Sequence, residues 1–432
     1  MALWLLMACE DLSEIPLHFD GPIAAAVLPE NSTPFYDPVG AVANSRSGRI
    51  LWLNLKEERF LTDDPMASFL PSRGAATGRA RILQDLAVTT DGTTVTAWTI
   101  DASTATVLRV PYITGWDDLG PVEVEPTATE PVFVDADGSG DNVKITDVRV
   151  RSGYTTTEDW VLSYDGQRWW AEGSRSGLQE GEPKTGQMYR ADDGAVELTL
   201  SGSATAGDRV ELSTDSLLTE ISLEGRPMGL LVAGGRLWVS VAGEVGTVVA
   251  LDVATGSVLG TVSLPAGAVP GRLAAATDGR IFVADGALSA VHVLRLDLEP
   301  ELAAVTVETL PTAGPVVDLA WVAGEAEDDS LFEHLFVAPL AAGRADIWDF
   351  GTSRWLDPNP ITPEVEGVPL GAPVSGMATS IGTVWLQQPD ENGAFPRIPV
   401  VTISTQDGLV HMLEGSTGCA VQDYEGPVGP TP

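Results

Sequence analysis

Residues 226–264 read RPMGLLVAGGRLWVSVAGEVGTVVALDVATGSVLGTVSL, and the rhythm of that stretch decides the architecture. Four β-prone runs, 228–232, 237–241, 247–253 and 258–264, are broken by turn residues, Ala233-Gly234-Gly235 and Ala254-Thr255-Gly256 among them. Turn residues between β-branched runs at this interval are the hairpin signal. The first run is small and continuously apolar, as expected of a strand that crowds an axis and is buried on both faces. The other reading of such a stretch is an ordinary β-sandwich with unequal strands.

Working outward, the run Gly235-Arg236-Leu237-Trp238-Val239-Ser240 has copies along the chain. Clear ones are Gly48-Arg49-Ile50-Leu51-Trp52-Leu53 and Gly279-Arg280-Ile281-Phe282-Val283-Ala284. Weaker ones are Thr94-Val95-Thr96-Ala97-Trp98, His334-Leu335-Phe336-Val337-Ala338 and Gly382-Thr383-Val384-Trp385-Leu386. Four intervals between first apolar residues, Ile50 to Val95, Leu237 to Ile281, Ile281 to Leu335 and Leu335 to Val384, are 45, 44, 54 and 49 residues. These match the ~40–50-residue repeat of propeller blades. Val95 to Leu237 is 142 residues. Allowing one blade there leaves roughly 95 residues, about the size of a small β-sandwich. The expectation is therefore an all-β chain, a six-bladed β-propeller with an inserted β-sandwich. A seventh blade shared between the chain ends is the alternative, since a propeller joins its last blade to its first or leaves strand edges open.

The 226–264 blade resembles the seven-bladed YVTN/NHL-type propeller repeats of bacterial surface proteins. The resemblance covers 226–415 well and the two N-terminal blades loosely. It implies an architecture and says almost nothing of function, because propellers host unrelated activities.

The expected boundaries are a signal remnant at 1–9, N-terminal blades at 10–124, the sandwich at 125–216, C-terminal blades at 217–425 and a disordered Pro-rich tail at 426–432. Residues 123–130 are rich in Pro, Thr and Glu and read as a linker. Beyond them, 144–150, 158–164, 168–172, 195–200 and 209–213 alternate in the two-residue period of half-exposed strands. An Ig-like or fibronectin-like sandwich over 136–215 follows. Residues 218–223 fall where an outer blade strand belongs, so the insert leaves the rim of the second blade between its third and fourth strands. Trp160, Trp169 and Trp170 concentrate in the insert. They are either core and cross-strand filler or, for Trp169 and Trp170, an aromatic binding surface.

The chain has 432 residues, 24 basic and 61 acidic, for a formal net charge of −37. Such a surface repels nucleic acid and anionic head groups and attracts cations. The N-terminus contains Leu6-Met7-Ala8-Cys9, which looks like a bacterial lipobox and implies a diacylglycerol on the Cys9 sulfur, with Glu10 after it favouring outer-membrane delivery. The basic n-region is absent and the apolar run is short. The other cysteine is Cys419, and a Cys9–Cys419 disulfide is the competing reading. No other segment approaches the ~20 apolar residues of a membrane span.

Local catalytic motifs are missing. His18, His292, His334 and His411 are scattered, and neither HExxH nor a phosphate-binding loop occurs. Gly173-Ser174-Arg175-Ser176-Gly177 has the shape of a serine elbow, but Arg175 occupies the nucleophile position. Asp135-Ala136-Asp137-Gly138-Ser139-Gly140-Asp141-Asn142 resembles the start of a calcium loop, with Asp135, Asp137 and Asp141 as ligands. It lacks the twelfth-position Glu, and a glycine-rich hinge is the plainer alternative. The acidic run 325–329 reads as a solvated loop. These features point to a non-catalytic, lipid-anchored cell-envelope scaffold that binds a protein or glycan. The rival is a metal-dependent, lactonase-type hydrolase with axial ligands drawn from Asp85, Asp278 and Asp318.

Overall fold

A computed structural model describes residues 22–28, 39–44, 48–54, 59–60, 81–91, 94–113, 122–123, 125–138, 140, 143–150, 155–192, 194–216, 218–295, 305–325, 330–357, 361, 366–383 and 397–418. Among them the chain is all-β, strands and turns without a helix. It divides into two compact units at the Leu223/Glu224 boundary.

Six antiparallel sheets have the up-and-down order of propeller blades. In the first unit, blade 1 is Pro22–Val27, Val39–Asn44, Arg49–Asn54 and Arg59–Phe60. Blade 2 is Leu83–Thr90, Thr94–Asp101, Thr106–Ile113 and, after the insert, Thr219–Ser222. In the second unit, blade 3 is Arg226–Ala233, Arg236–Ala242, Thr247–Asp252 and Val258–Ser263, the strands read from the sequence within a residue or two. Blade 4 is Pro270–Ala275, Ile281–Asp285, Ala290–Arg295 and Thr306–Pro311. Blade 5 is Val316–Glu325, Leu331–Pro339, Arg344–Asp349 and Arg354–Trp355, and blade 6 shows Val374–Thr383, Arg397–Thr405 and Val410–Glu414.

Within each unit, the first strand of one blade lies beside the first strand of the next. Apolar cores fill the spaces between neighbours. Trp52, Val95, Leu108 and Val110 join blades 1 and 2, and Trp238, Val248, Ile281 and Val283 join blades 3 and 4. Every first strand slips register once against the second strand near its start. A bulge there sharpens the twist that a radial sheet needs. It also exposes backbone to the neighbouring blade, and Gly229 answers this. A Cβ at that position would meet the Gly271 carbonyl oxygen at 2.8 Å and Arg272 Cα at 3.2 Å.

Two of the six sequence rungs sit in a different lane from the rest. Residues 94–98, 236–240, 280–284 and 334–338 belong to second strands or their immediate starts, whereas Arg49–Asn54 is the third strand of blade 1. Gly382-Thr383 ends the first strand of blade 6, and 384–386 lie outside the described residues. The reason is burial. Arg49–Asn54 is buried at all six positions, so a third strand there has the same unbroken apolar character as a second strand.

The insert forms two sheets. One carries Val132–Val134, Arg209–Asp215, Glu158–Tyr164, Trp169–Gly173 and Gly177–Leu178 in that order, with Thr127–Ala128 also paired to Arg209–Asp215. The other carries Lys144–Val150, Val196–Ser201 and Met188–Arg190. One core, with Trp160, Leu162, Trp169, Leu198 and Val210, fills the space between them. Blade 2 accommodates the insert by splitting its outer lane. Val122–Glu123 pairs with Tyr112 and Ile113, and Thr219–Ser222 pairs with Thr106 to Arg109 of the same strand.

Candidate functional site at the junction of the second blade and the sandwich

The elbow-like loop at Arg175 is organised from below by a buried carboxylate. Glu158 begins a sandwich strand and is 5% exposed. Its Oε2 accepts from Arg175 N at 3.1 Å, Ser176 N at 3.0 Å and Ser176 Oγ at 3.0 Å, while Oε1 accepts from the Thr156 hydroxyl. These bonds satisfy a charge that would otherwise be costly to bury. The carboxylate comes so close to the chain that residue 173 has no room for a side chain. A Cβ there would lie 2.2 Å from Ser176 Oγ and 2.3 Å from Glu158 Oε2.

Held this way, the loop sends Arg175 toward blade 2. Its Nη2 donates to Glu220 Oε1 at 2.9 Å. Glu220, on the outer strand of blade 2, takes a second guanidinium, Arg81 Nη2, at 2.7 Å. Arg81 is 3% exposed and bonds the fully buried Asp101 at 3.0 Å. The row Asp101, Arg81, Glu220, Arg175 alternates in sign and ties the blade to the sandwich. Low exposure of its inner members strengthens it relative to a surface pair.

Beside this row opens a cleft of about 670 Å³, lined by Thr94, Arg109, Pro111, Thr157, Arg175 and Glu220 with Asp215, Leu218 and Thr219. The period of two along Thr106–Ile113 puts Arg109 and Pro111 on one face, alternating with the buried Leu108, Val110 and Tyr112. Trp98 and Thr219 are the cross-strand partners of Arg109, and its guanidinium carbon stands 5.9 Å from the Trp98 ring. Arg109 Nε is buried and has no hydrogen-bond acceptor among the described residues.

The residues singled out in the sequence land in several places. Trp169 is not part of a binding surface. It is 3% exposed and lies in the sandwich core, because strand alternation turns it inward and Trp170 outward. Trp160 is core as well. Trp170 is half-buried, with Arg168 3.6 Å over its ring and its Nε1 donating to Asp165 at 3.0 Å. The Arg168 amide, Trp170 and the Gln167 amide, in that order, hold the Asp165 carboxyl at about 2.

Of the calcium residues, Asp135 and Asp137 come together and Asp141 lies outside the described residues. The partner the sequence did not reveal is Asp208, which precedes the neighbouring strand Arg209–Asp215 of the same sheet, with carboxylate oxygens of all three within 4.8 Å of one another. Asp135 accepts from Gly138 N and Gly140 N, and the fully buried Asp208 accepts from Ala136 N and Thr205 N.

The aspartates of the enzyme reading each have local partners. Asp318 sits at the bulge of blade 5, where Oδ1 accepts from Leu319 N and Oδ2 from Met377 N of blade 6, both at 2.8 Å. Asp85, at the bulge of blade 2, accepts from Leu86 N. Asp278 pairs with Arg280 in a turn of blade 4. His292 and Asp285 are both fully buried and bond at 2.8 Å inside blade 4. His334 Nδ1 lies 2.8 Å from the Gly415 carbonyl oxygen. Cys9, Cys419, 326–329 and 426–432 lie outside the described residues.

Sequence reasoning missed Arg109, Glu158 and Glu220. The signal for Arg109 was available, a lone cation alternating with apolar residues in an otherwise buried strand, but nothing in the sequence announces what faces it.

No family model matches the chain, and no curated protein matches it in sequence. Solved structures similar to it include U3-55K, at 11% identity and a TM-score of 0.44, covering 92% of this chain and 78% of that one. The WD40 repeats of RRP9 align at 12% identity and a TM-score of 0.43, covering 92% and 77%. Sqt1 of Saccharomyces cerevisiae aligns at 11% and 0.40, covering 93% and 85%. The blade assignment rests on sheet order and first-strand packing; the chain is a β-propeller protein by its architecture.

Proposed function

We propose that the chain is a non-catalytic binding scaffold of the bacterial cell envelope, anchored by a lipid on Cys9, with the sandwich as its recognition arm for a protein or glycan. One observation carries this reading. The sandwich has a core of its own, yet the alternating row from Asp101 to Arg175 fixes it to the second blade. A module that folds around its own core and is also braced serves to present a surface in a set orientation, and pre-set orientation lowers the entropy cost of binding. Crosslinking in the native envelope, followed by mass spectrometry, should place partner contacts on 125–216. Excising that segment should abolish them while the blades still unfold cooperatively. Partner capture unchanged by the excision would refute the arm. Intact mass of the membrane-extracted protein tests the anchor, which an unacylated Cys9 would sink.

Calcium belongs to the same proposal. The oxygens of Asp135, Asp137 and Asp208 supply the hard ligands the ion requires, with Asp141 a further candidate from the same loop. Binding would stiffen the hinge by which the chain enters the sandwich. Calorimetry of Ca²⁺ into metal-free protein should give saturable heat that Asp137→Asn weakens at least tenfold.

A further inference from the structure

We propose that the junction cleft binds a carboxylate, with Arg109 as the anchoring donor. This rests on the scaffold reading only in treating the chain as a binder. Three observations support it. First, Arg109 Nε is buried and makes no hydrogen bond among the described residues, and a buried donor left unsatisfied is costly. Second, no carboxylate among the described residues pairs with Arg109, whereas Arg175 and Arg81 are both taken by Glu220. Third, the cleft is ligand-sized, at about 670 Å³, and beyond the charged residues Arg109, Arg175, Glu220 and Asp215 its lining is threonine hydroxyls, Pro111 and Leu218.

The chemistry selects the ligand. A guanidinium presents donors in a planar fork that matches a carboxylate two-on-two. Thr94 and Thr219 can donate further bonds to its outer oxygens, and Pro111 and Leu218 suit a short aliphatic stem. Asp215 is engaged by the Thr157 hydroxyl at 2.8 Å, and Glu220 by its two arginines. Glu220 is thus occupied and Asp215 keeps its charge beside a hydroxyl donor, while among the described residues Arg109 is the cationic donor of the cleft with no carboxylate on it. The chain carries −37 overall, so long-range steering works against an anion. Recognition has to come from the local donors, which favours a compact carboxylate over a polyanion.

A carboxylate of this kind comes either from a free small acid or from the end of a peptide chain. Titration calorimetry on the full chain separates the two, with succinate as one probe and a hexapeptide as the other, the peptide bearing either a free or an amidated C-terminus. Saturable binding of succinate or of the free-acid peptide, with the amide at least tenfold weaker, is expected. Arg109→Gln should weaken binding at least tenfold, and Arg109→Lys should recover only part of it, because Lys lacks the fork. Arg354→Gln, an exposed arginine of blade 5, should change nothing. The Arg109 Nε–H resonance of the unaltered chain gives a readout that needs no variant, and it should move downfield on titration. No saturation by either probe at about 10 mM, binding indifferent to Arg109→Gln, or an unmoved Nε–H resonance would each overturn the proposal. None of these results touches the crosslinking test of the sandwich, so the two readings fail separately.

Discussion

The second and third blades have the same four lanes and differ in what happens to the outermost one. In blade 3 it is an unbroken strand, Val258–Ser263, largely exposed. In blade 2 it is cut into Val122–Glu123 and Thr219–Ser222, with the whole sandwich between the pieces. The inner lanes show why the cut falls there. Arg236–Ala242 and Thr94–Asp101 are buried almost throughout, and interrupting either would expose a core strand. An outer strand gives up little apolar burial, so a blade can open there and keep its core. The insertion leaves polar groups at its seam, and blade 2 answers with a row of ion pairs.

That contrast can be broken most forcefully where polar groups are fully buried. Asp285 of blade 4 accepts from Val269 N, Ala287 N, Leu288 N and His292. Asp285→Ala should cost about 3 kcal/mol or more, because it strands several buried donors at once, and a denaturant melt reads it. The same residue fixes a pH dependence. Burial raises its carboxyl, but Leu288, Ala287, His292 and Val269 together outweigh that and leave it below the ordinary carboxylate range. Its contribution is then full above about pH 4 and fades as pH falls through the lowered folded value. Melts of wild type and Asp285→Asn should converge on acidification from that point.

Next in size is crowding. Gly229→Ala pushes a Cβ against the backbone of blade 4 and should cost about 2 kcal/mol, read as a lowered melting temperature of the second unit. The seam itself is worth less. Glu220→Gln weakens the bonds to Arg81 and Arg175 and should cost about 1 kcal/mol, with faster proteolysis of the linker at 125–131 as the more sensitive readout. A seam as silent as an exposed ion pair would show that the sandwich is merely tethered. The smallest effect belongs to the outward tryptophan. Trp170→Ala removes a half-buried indole stacked beneath the exposed Arg168, worth about 0.5 kcal/mol. It should raise the Asp165 carboxyl from about 2 toward its ordinary value in an NMR titration, since the indole N–H is one of the groups lowering it.

Much of this organisation was legible in the chain. The 226–264 strands, the strands of the insert and the return to blade 2 after 217 follow from turn residues and alternation, which act over a few residues. The lane of a strand was not legible, as Arg49–Asn54 shows, because two neighbouring buried lanes demand the same residues. Nor was the partner of Asp135 and Asp137. Asp208 lies about seventy positions away and meets them because Val132–Val134 pairs antiparallel with Arg209–Asp215, which sets Val134 opposite Arg209. Trp169 and Trp170 are adjacent in sequence, and only the register of Trp169–Gly173 against Glu158–Tyr164 decides which one faces the core.

By itself, the sequence determined the blade repeat, the place of the insertion and the strongly acidic charge, all consequences of local pattern and composition. Tertiary structure alone decided that Glu158 would shape the Arg175 loop, that Glu220 would join two arginines and that the Arg109 Nε would find no acceptor among the described residues. The physical reason is that hydrogen bonds and ion pairs form between groups near in space, and in an all-β chain such groups lie tens of residues apart, brought together by strand pairing whose register is set by the whole sheet.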